Sequence, residues 1–480
     1  MTYKLLAVSE SQRIGELFCE SLDDLHKFHY SRNWRESPQA FPLSLHMSLS
    51  RERIPSYTIR RYLNNLLPEG EALHVAAARN KVSIANTLIL ALRLGQEPAG
   101  AASFMWDGDD VVLPNVQEPF RRHISGDELA HRIQTRDKNP FSVWDGRLYQ
   151  QLAGVEDKLQ ILVENGEFFL VGGSLSSTHI IKPETRNPKT PFMVANEHFC
   201  MSLAAALGLQ VASVGIRRTP EPVLLIERFD RSVEYNVHDG QCGAIVRRRH
   251  IIDGCQALNM PAEWKYECPK GHTPSRNVPS IGVSFEKLFS LRPYFSVPAQ
   301  VVKGILQWAL LQLLIGNSDA HGKNISFFQT HDGLALAPMY DLVCTQAYGD
   351  AVAQEMAMAY GGTFQLVKVD AQQLLKFAGI AGVTARLLGE ELARLASAAF
   401  VHAKRLAIDS IYTDDERAFL LSVTDFVSSQ AKKMLRFAGD IYVHGNPSGV
   451  HLGLAKDKFE APADIDATNS EIGRMFNGDD

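Results

Sequence analysis

Cysteine is scarce in this chain, with six among 480 residues at positions 19, 200, 242, 255, 268 and 344 and no framework spacing. Such usage excludes a disulfide scaffold and reads as free thiols in a reducing compartment. Cys268 and His272, with Cys242 and Cys255 upstream, outline a zinc site only loosely, and no Cys-x2-Cys pair supports one. Glycine (34) and proline (22) stand near average usage, which excludes collagen-like and low-complexity chains. Long uninterrupted apolar runs are missing too. The stretch Ile305 to Ile315 is broken by Gln307 and Gln312, so a buried helix is expected there and no membrane span. The N-terminal run Met1 to Glu10 is too short and too weakly charged for a signal peptide, which leads us to expect a cytoplasmic protein. Neither sign of charge dominates: 49 basic and 54 acidic residues leave −5, which argues against a dedicated polyanion binder. What the chain does have is 45% hydrophobic residues over a length that suggests about three domains.

No repeat period and no long linker divides it. Arg13 to Phe18 and Pro42 to Leu49 alternate like strands, and Ser56 to Leu67 reads as a helix stopped by Pro68 and Gly70. Leu159–Val163 and Phe168–Val171 flank Glu164-Asn-Gly-Glu167, a hairpin signal. His179–Lys182 and Pro222–Ile226 are short β-rich runs, with a helical pattern from Asn196 to Leu207 between them. After Asp230 helical periodicity prevails, at Gln300–Ile315, Ala371–Phe377, Thr384–Leu406 and Asp414–Phe437. Lys265 to Ile281, rich in Pro, Gly and charge, is expected to be a surface loop. From Lys456 onward seven acids face three bases, so a frayed tail is expected. A strand-rich part followed by a helix-rich part outlines a two-lobed enzyme.

The densest chemical signal is Ile315-Gly-Asn-Ser-Asp-Ala-His-Gly-Lys-Asn-Ile-Ser-Phe327, where a polar loop between two apolar runs fixes Asp319, His321, Lys323 and Asn324. Asp341 follows, a lone carboxylate in an apolar stretch, costly there unless paired or metal-bound. Asp319 and Asn324 are five apart, with a second Asp downstream. That is the offset of a protein kinase's catalytic Asp, its metal-binding Asn and its Mg²⁺-holding Asp. Phosphoryl transfer needs a carboxylate to orient the acceptor hydroxyl, hard oxygen ligands for Mg²⁺ and cations on the phosphates. Upstream, Lys182 ends a strand as a phosphate-pairing lysine should, and Glu197, near the start of the next helix, could pair with it. Leu224-Leu-Ile-Glu-Arg-Phe-Asp230 suits contacts with an adenine edge. Singly, each residue has a bland reading: a solvated strand end, a helix N-terminal acid, a surface ion pair at Glu227–Arg228, a structural loop histidine at His321. Together and in order they favour a phosphotransferase. Two other readings stay open, a kinase-fold phosphotransferase for small molecules and a non-catalytic module that bridges a protein partner and DNA.

From about Ile14 to about residue 440 the sequence resembles the HipA-like serine/threonine kinases, toxins of bacterial toxin–antitoxin pairs. The resemblance is carried by Arg61-Tyr-Leu-Asn-Asn-Leu-Leu-Pro-Glu-Gly70, Leu94-Gly-Gln-Glu-Pro-Ala-Gly-Ala101, Leu152-Ala-Gly-Val-Glu-Asp-Lys158 and Ser177-Thr-His-Ile-Ile-Lys-Pro183. Asn196-Glu-His-Phe-Cys200, Glu227-Arg-Phe-Asp-Arg231, Asp253-Gly-Cys-Gln-Ala-Leu258 and Lys265-Tyr-Glu267 continue it. Gly316 to Asn324 with Pro338-Met-Tyr-Asp-Leu-Val343 is its most specific part. It implies an α+β, two-lobed protein-kinase-like fold with an extra N-terminal α/β domain (1–110), an ATP-binding small lobe (111–235), an all-helical catalytic lobe (236–440) and a tail (441–480). It implies ATP and Mg²⁺ as cofactors, with Asp319 as catalytic base and Asn324 and Asp341 as metal ligands. Ala153, Gly154, Val155 and Lys158 would form the phosphate-covering loop. Lys182 with Glu197 would serve the phosphates, and Glu227 and Phe229 the adenine pocket, with Asp230, His321 and Lys323 completing the nucleotide site. The implied partners are a small helix-turn-helix antitoxin of the HipB type, DNA reached mainly through it, and a protein substrate such as an aminoacyl-tRNA synthetase; no membrane is implied. One departure stands out. Where the family commonly has a self-phosphorylated Ser, this chain has Gln151, so any such switch would need another hydroxyl, with Ser174, Ser176, Ser177 and Thr178 nearby.

Overall fold

Period-two alternation builds the first sheet. In the computed structural model, which describes residues 3–10, 12–19, 26–94, 97–107, 117–149, 154, 156–238, 241–268 and 280–444, the strands His26–Tyr30, Gln12–Cys19, Tyr3–Ser9 and Ser103–Trp106 lie in that order, all antiparallel. Leu5, Ala7, Ile14 and Leu17 are buried. The helix Ser56–Leu66 buries Ile59, Tyr62, Leu63 and Leu66, the three-and-four spacing of an amphipathic face. It ends before Pro68, and a second helix, Gly70–Asn80, begins at once. Pro42 to Leu49, expected as a strand, is irregular instead. The Tyr30 hydroxyl accepts from Leu43 N–H at 2.8 Å and donates to Met47 O, so the chain winds about one buried phenol and has no ladder to join.

A second, six-stranded antiparallel sheet runs in the order Val214–Thr219, Glu221–Glu227, His179–Pro183, Leu159–Glu164, Glu167–Gly172, Phe120–Ile124. The expected hairpin is there, with Asn165 and Gly166 both at positive φ, as its two-residue turn requires. One face of the sheet packs Leu159, Ile161, Leu170, Ile181 and Val223 into a core of its own with the helix Gly126–Gln134. Lys182, one residue beyond Ile181, must point to the other face, where the helix Met193–Ala206 lies.

The C-terminal part is not all helical. The hairpin Arg231–His238/Gln241–Arg248 opens it, and Ile251–Asp253, Ser326–Thr330 and Gly333–Leu336 form a three-stranded sheet inside it. Those strands are three to five residues long and far apart in sequence, too short for a periodic signal. The helix Pro298–Ile315 packs on the strand Gly333–Leu336, and Ala371–Ala381, Ala385–Ala407 and Asp414–His444 pack with one another, the last two also on that helix. Pro298–Ile315 is the one described helix long and apolar enough to cross a membrane, and it lies in the core with Gln312 fully buried. Gly316, left-handed at φ 66°, stops it and releases the polar loop. The acidic tail lies outside the described residues.

Two outcomes follow for stability. A Cβ on Gly254 would sit 2.6 Å from Gly322 O in the polar loop. Gly254→Ala is therefore expected to lower stability by about 1–3 kcal/mol in urea unfolding. His250 joins the first sheet's unit to the rest, its Nε2 3.0 Å from Leu43 O and its ring stacked on Phe41. Burial pushes its pKa down from the ordinary 6.5 to about 4. Its contribution is complete above pH 6.5 and is lost as pH falls towards 4, about 3 kcal/mol in all. His250→Gln should flatten that slope of stability against pH.

Candidate active site

The strand His179–Pro183 delivers Lys182 to the mouth between the sheet and the helices. Its ammonium lies 2.8 and 3.0 Å from the two oxygens of Glu197, 2.7 Å from Asp341 Oδ1 and 3.1 Å from Glu156 Oε2. Burial opposes the charge on Lys182, yet the surrounding carboxylates outweigh it and hold the ammonium well above its usual pKa. Burial, with Asp341 and Glu156 repelling, lifts Glu197 to about 7. Desolvation works against ionising Asp341, and Lys182 overrides it, holding that carboxyl well below the usual range. Three carboxylates face Lys182, and the buried Lys158 ammonium lies within reach of the same three charges.

Each carboxylate has its own anchor. Glu197 rides on the helix Met193–Ala206, whose free N-terminal amides at Met193 and Val194 donate to the Glu184 carboxylate at 2.8 and 3.2 Å. Asn196, its neighbour, donates to Cys344 O at 3.1 Å and to Tyr348 Oη at 3.0 Å, and accepts from Cys344 N–H at 2.9 Å. The helix is thereby tied to the segment that follows Asp341. Asp341 is not in a strand; it holds a left-handed backbone, φ 58°, unusual for a residue with a side chain and typical of functional turns.

Asp319 sits in the loop after the core helix. Its N–H donates to Asn317 Oδ1 at 3.0 Å, and its carbonyl accepts from His321 N–H at 2.8 Å and from Asn324 Nδ2 at 3.1 Å. Ser318 N–H donates to Thr345 Oγ1 at 2.7 Å, fixing the loop to the chain beyond Asp341. Glu156, Asp319, Asn324 and Asp341 line one cleft of about 370 Å³ together with Tyr266 and Asn317. Among the described His, Cys, Asp and Glu side chains, Glu156, Glu197 and Asp341 bring ligand atoms within 4.8 Å of one another, close enough to share a metal ion. Hard oxygen donors of this kind are what Mg²⁺ takes.

Two family models match the chain. The model described as the HipA N-terminal domain matches residues 5–105, and that described as the HipA-like C-terminal domain matches residues 150–403. The serine/threonine-protein kinase toxin HipA of Shewanella oneidensis is 39% identical over 386 residues, 80% of this chain and 84% of that protein. The chain belongs to the HipA family of serine/threonine-protein kinase toxins. A putative kinase of Sinorhizobium fredii, Y4mE, is 32% identical over 440 residues, 90% of this chain and 99% of its own. The solved complex of Shewanella oneidensis HipA with HipB and operator DNA matches with a TM-score of 0.78 at 34% identity, covering 91% of this chain and 99% of that one.

Within this HipA-family chain, not every residue assigned to the nucleotide site lies there. Lys323 Nζ donates to Asn65 O at 2.9 Å, Asn65 Oδ1 at 3.1 Å and Asp253 Oδ2 at 2.6 Å, so its three protons serve the seam with the first unit. Asp230 is buried between Arg228 (3.0 and 2.9 Å), Arg231 (2.7 Å) and Gly100 N–H (2.8 Å), in the same seam. Arg228 thus pairs with Asp230 and not with Glu227, which is exposed. Phe229 packs against Phe328 and Tyr340. His321 is buried and its pKa pushed down to about 3, first by burial and then by Lys265, so it is a neutral packing residue. Gly154 is held by Glu69 N–H, which donates to its carbonyl at 3.0 Å, and Lys158 lies against it. Ala153, Val155 and Gln151 lie outside the described residues. Of the four hydroxyls nearby, Ser176, Ser177 and Thr178 are buried, Ser177 donating to Glu97 Oε1 at 2.7 Å; Ser174 alone is exposed. Sequence reading gave Glu156, Glu69 and Tyr266 no individual role, although all three lie inside motifs that carry the family resemblance.

Lys182→Met would leave Glu156, Glu197 and Asp341 facing one another. We expect a loss of about 3 kcal/mol in denaturant unfolding, larger at pH 8 than at pH 6, because Glu197 can shed its charge by taking a proton at the lower pH.

Proposed function

We propose that this chain binds ATP with Mg²⁺ and transfers the γ-phosphoryl group to a serine or threonine hydroxyl of a cytoplasmic protein that serves translation, such as an aminoacyl-tRNA synthetase, and so arrests growth. The observation that carries the reading is the Lys182–Glu197 pair in contact with Asp341, beside a cleft that also holds Asp319 and Asn324. A kinase needs that pair and the metal-binding Asp in place together.

The residues divide the work as follows. Lys182 pairs with the ATP phosphates, with Gly154 and Lys158 in the loop that covers them. Glu227 and Phe229 stand where the six-stranded sheet leads into the C-terminal part, the place for the adenine edge. Asn324 and Asp341 would hold Mg²⁺, which would neutralise phosphate charge during the transfer. Asp319 orients the acceptor hydroxyl and takes its proton as the oxygen–phosphorus bond forms and the bond to the β-phosphate oxygen breaks; ADP leaves. The solved HipA relative was captured with HipB and operator DNA. By that likeness the partner here is a small helix-turn-helix antitoxin of the same kind, with DNA contacted mainly through it.

Induced expression tests this directly. The unaltered chain should arrest growth, Asp319→Asn should not, and phosphoproteomics of the arrested cells should reveal a serine or threonine site absent from the mutant culture. Equal arrest by both would point to binding alone, and arrest by neither to a small-molecule acceptor.

A further inference from the structure

Tyr266 has no part in the scheme above, yet its surroundings hold it in place. Lys265 to Glu267, expected as the start of a surface loop, is fastened to the catalytic loop. Gly322 N–H donates to Lys265 O at 2.8 Å, Glu267 N–H donates to Ala357 O at 3.0 Å, and the Glu267 carboxylate accepts from Ala359 N–H at 2.8 Å. The Tyr266 ring stands edge-on to the neutral His321, centroids 5.0 Å apart. Its hydroxyl donates to Asp319 Oδ1 at 2.5 Å, the length of a bond assisted by a carboxylate's charge. Burial, and then the Asp319 charge, push the phenol far up, so it keeps its proton and acts as a donor. Next to it, Lys265 Nζ is 2.7 Å from Glu69 Oε2, and Glu69 is the residue whose N–H holds the Gly154 carbonyl. One short path of contacts thus joins the phosphate loop, the first unit and the catalytic aspartate.

We propose that Tyr266 is a positioning residue for phosphoryl transfer. Its hydroxyl fixes the orientation of the Asp319 carboxylate in the cleft, and the Glu69–Lys265 pair keeps the tyrosine in register with the phosphate loop. Tyr266 itself neither gains nor loses a proton in the reaction. The inference rests on the reading of Asp319 as the acceptor's base. Truncation to Tyr266→Phe keeps the ring against His321 and removes only the donor.

Full-length wild type, Tyr266→Phe, Glu69→Gln and Asp319→Asn can be compared for labelling of host lysate protein from γ-labelled Mg-ATP, for Mg-ATP affinity and for melting temperature. Tyr266→Phe should label about 100-fold more slowly, the scale of a misplaced catalytic group. Its Mg-ATP dissociation constant should stay within about twofold of wild type and its melting temperature should not move. Glu69→Gln should fall between the two in labelling rate. A Tyr266→Phe rate equal to or above wild type, beside an inactive Asp319→Asn, would overturn the proposal while leaving the site reading intact. So would a slow Tyr266→Phe that also loses ATP affinity or thermal stability. Failure of wild type to label, or full activity of Asp319→Asn, would instead remove the reading on which the proposal stands.

Discussion

One ammonium group, that of Lys182, holds the catalytic region together. Four pieces of chain converge on it: its own strand, the helix that carries Glu197, the left-handed turn at Asp341 and the segment that carries Glu156. Taking such charges out of water costs several kcal/mol per ion, and a buried pair of this kind is weak as a source of stability. Its value lies in geometry. Each carboxylate is held by a separate element, so displacement of any one of them alters the charge felt by the others. Carboxylate oxygens gathered from separate segments at one point are the hard donors that a Mg²⁺–nucleotide site uses.

The first unit is not an appendage to this centre. Its helix Ser56–Leu66 ends with Asn65, whose carbonyl and side chain both accept from Lys323, four residues after Asp319. A helix C-terminus favours a cation, so the contact stabilises both parties. Asn65 Nδ2 also donates to Met260 O at 2.9 Å, and Gln256 Nε2 donates to Tyr62 O at 3.2 Å. A second seam, Glu97 and Gly100 against Arg228, Asp230 and Arg231, buries Asp230 between two guanidinium groups and a backbone amide. These seams explain why Lys323 and Asp230 face the neighbouring unit.

Local spacing made much of the centre legible in the sequence. Lys182 stood at the end of a clear β run, Asp319 and Asn324 shared one loop, and the apolar period of Pro298–Ile315 announced the helix that places them. Motif order and family resemblance then joined the parts. What was not legible depends on partners more than a hundred residues away. Nothing near Lys323 shows that Asn65 awaits it, and nothing near Asp230 shows Gly100. The strand Ile251–Asp253 has three residues and finds its mate at Ser326–Thr330, so neither could signal the sheet they form. Pro42 to Leu49 had the right alternation for a strand, but alternation cannot reveal a tyrosine hydroxyl twelve residues upstream that bends the segment about itself.

The side chain of Asn196 has a consequence for how such an enzyme could be turned off. It makes both ends of its amide fast to Cys344 and Tyr348, while the next residue grips Lys182. A swing of the Met193–Ala206 helix away from the sheet would break those bonds together and strand the Cys344 amide without a partner in a buried place. Moving the helix alone would therefore leave buried backbone and side-chain groups at Cys344 and Tyr348 unpaired, which ties the placement of Glu197 to that of the turn carrying Asp341.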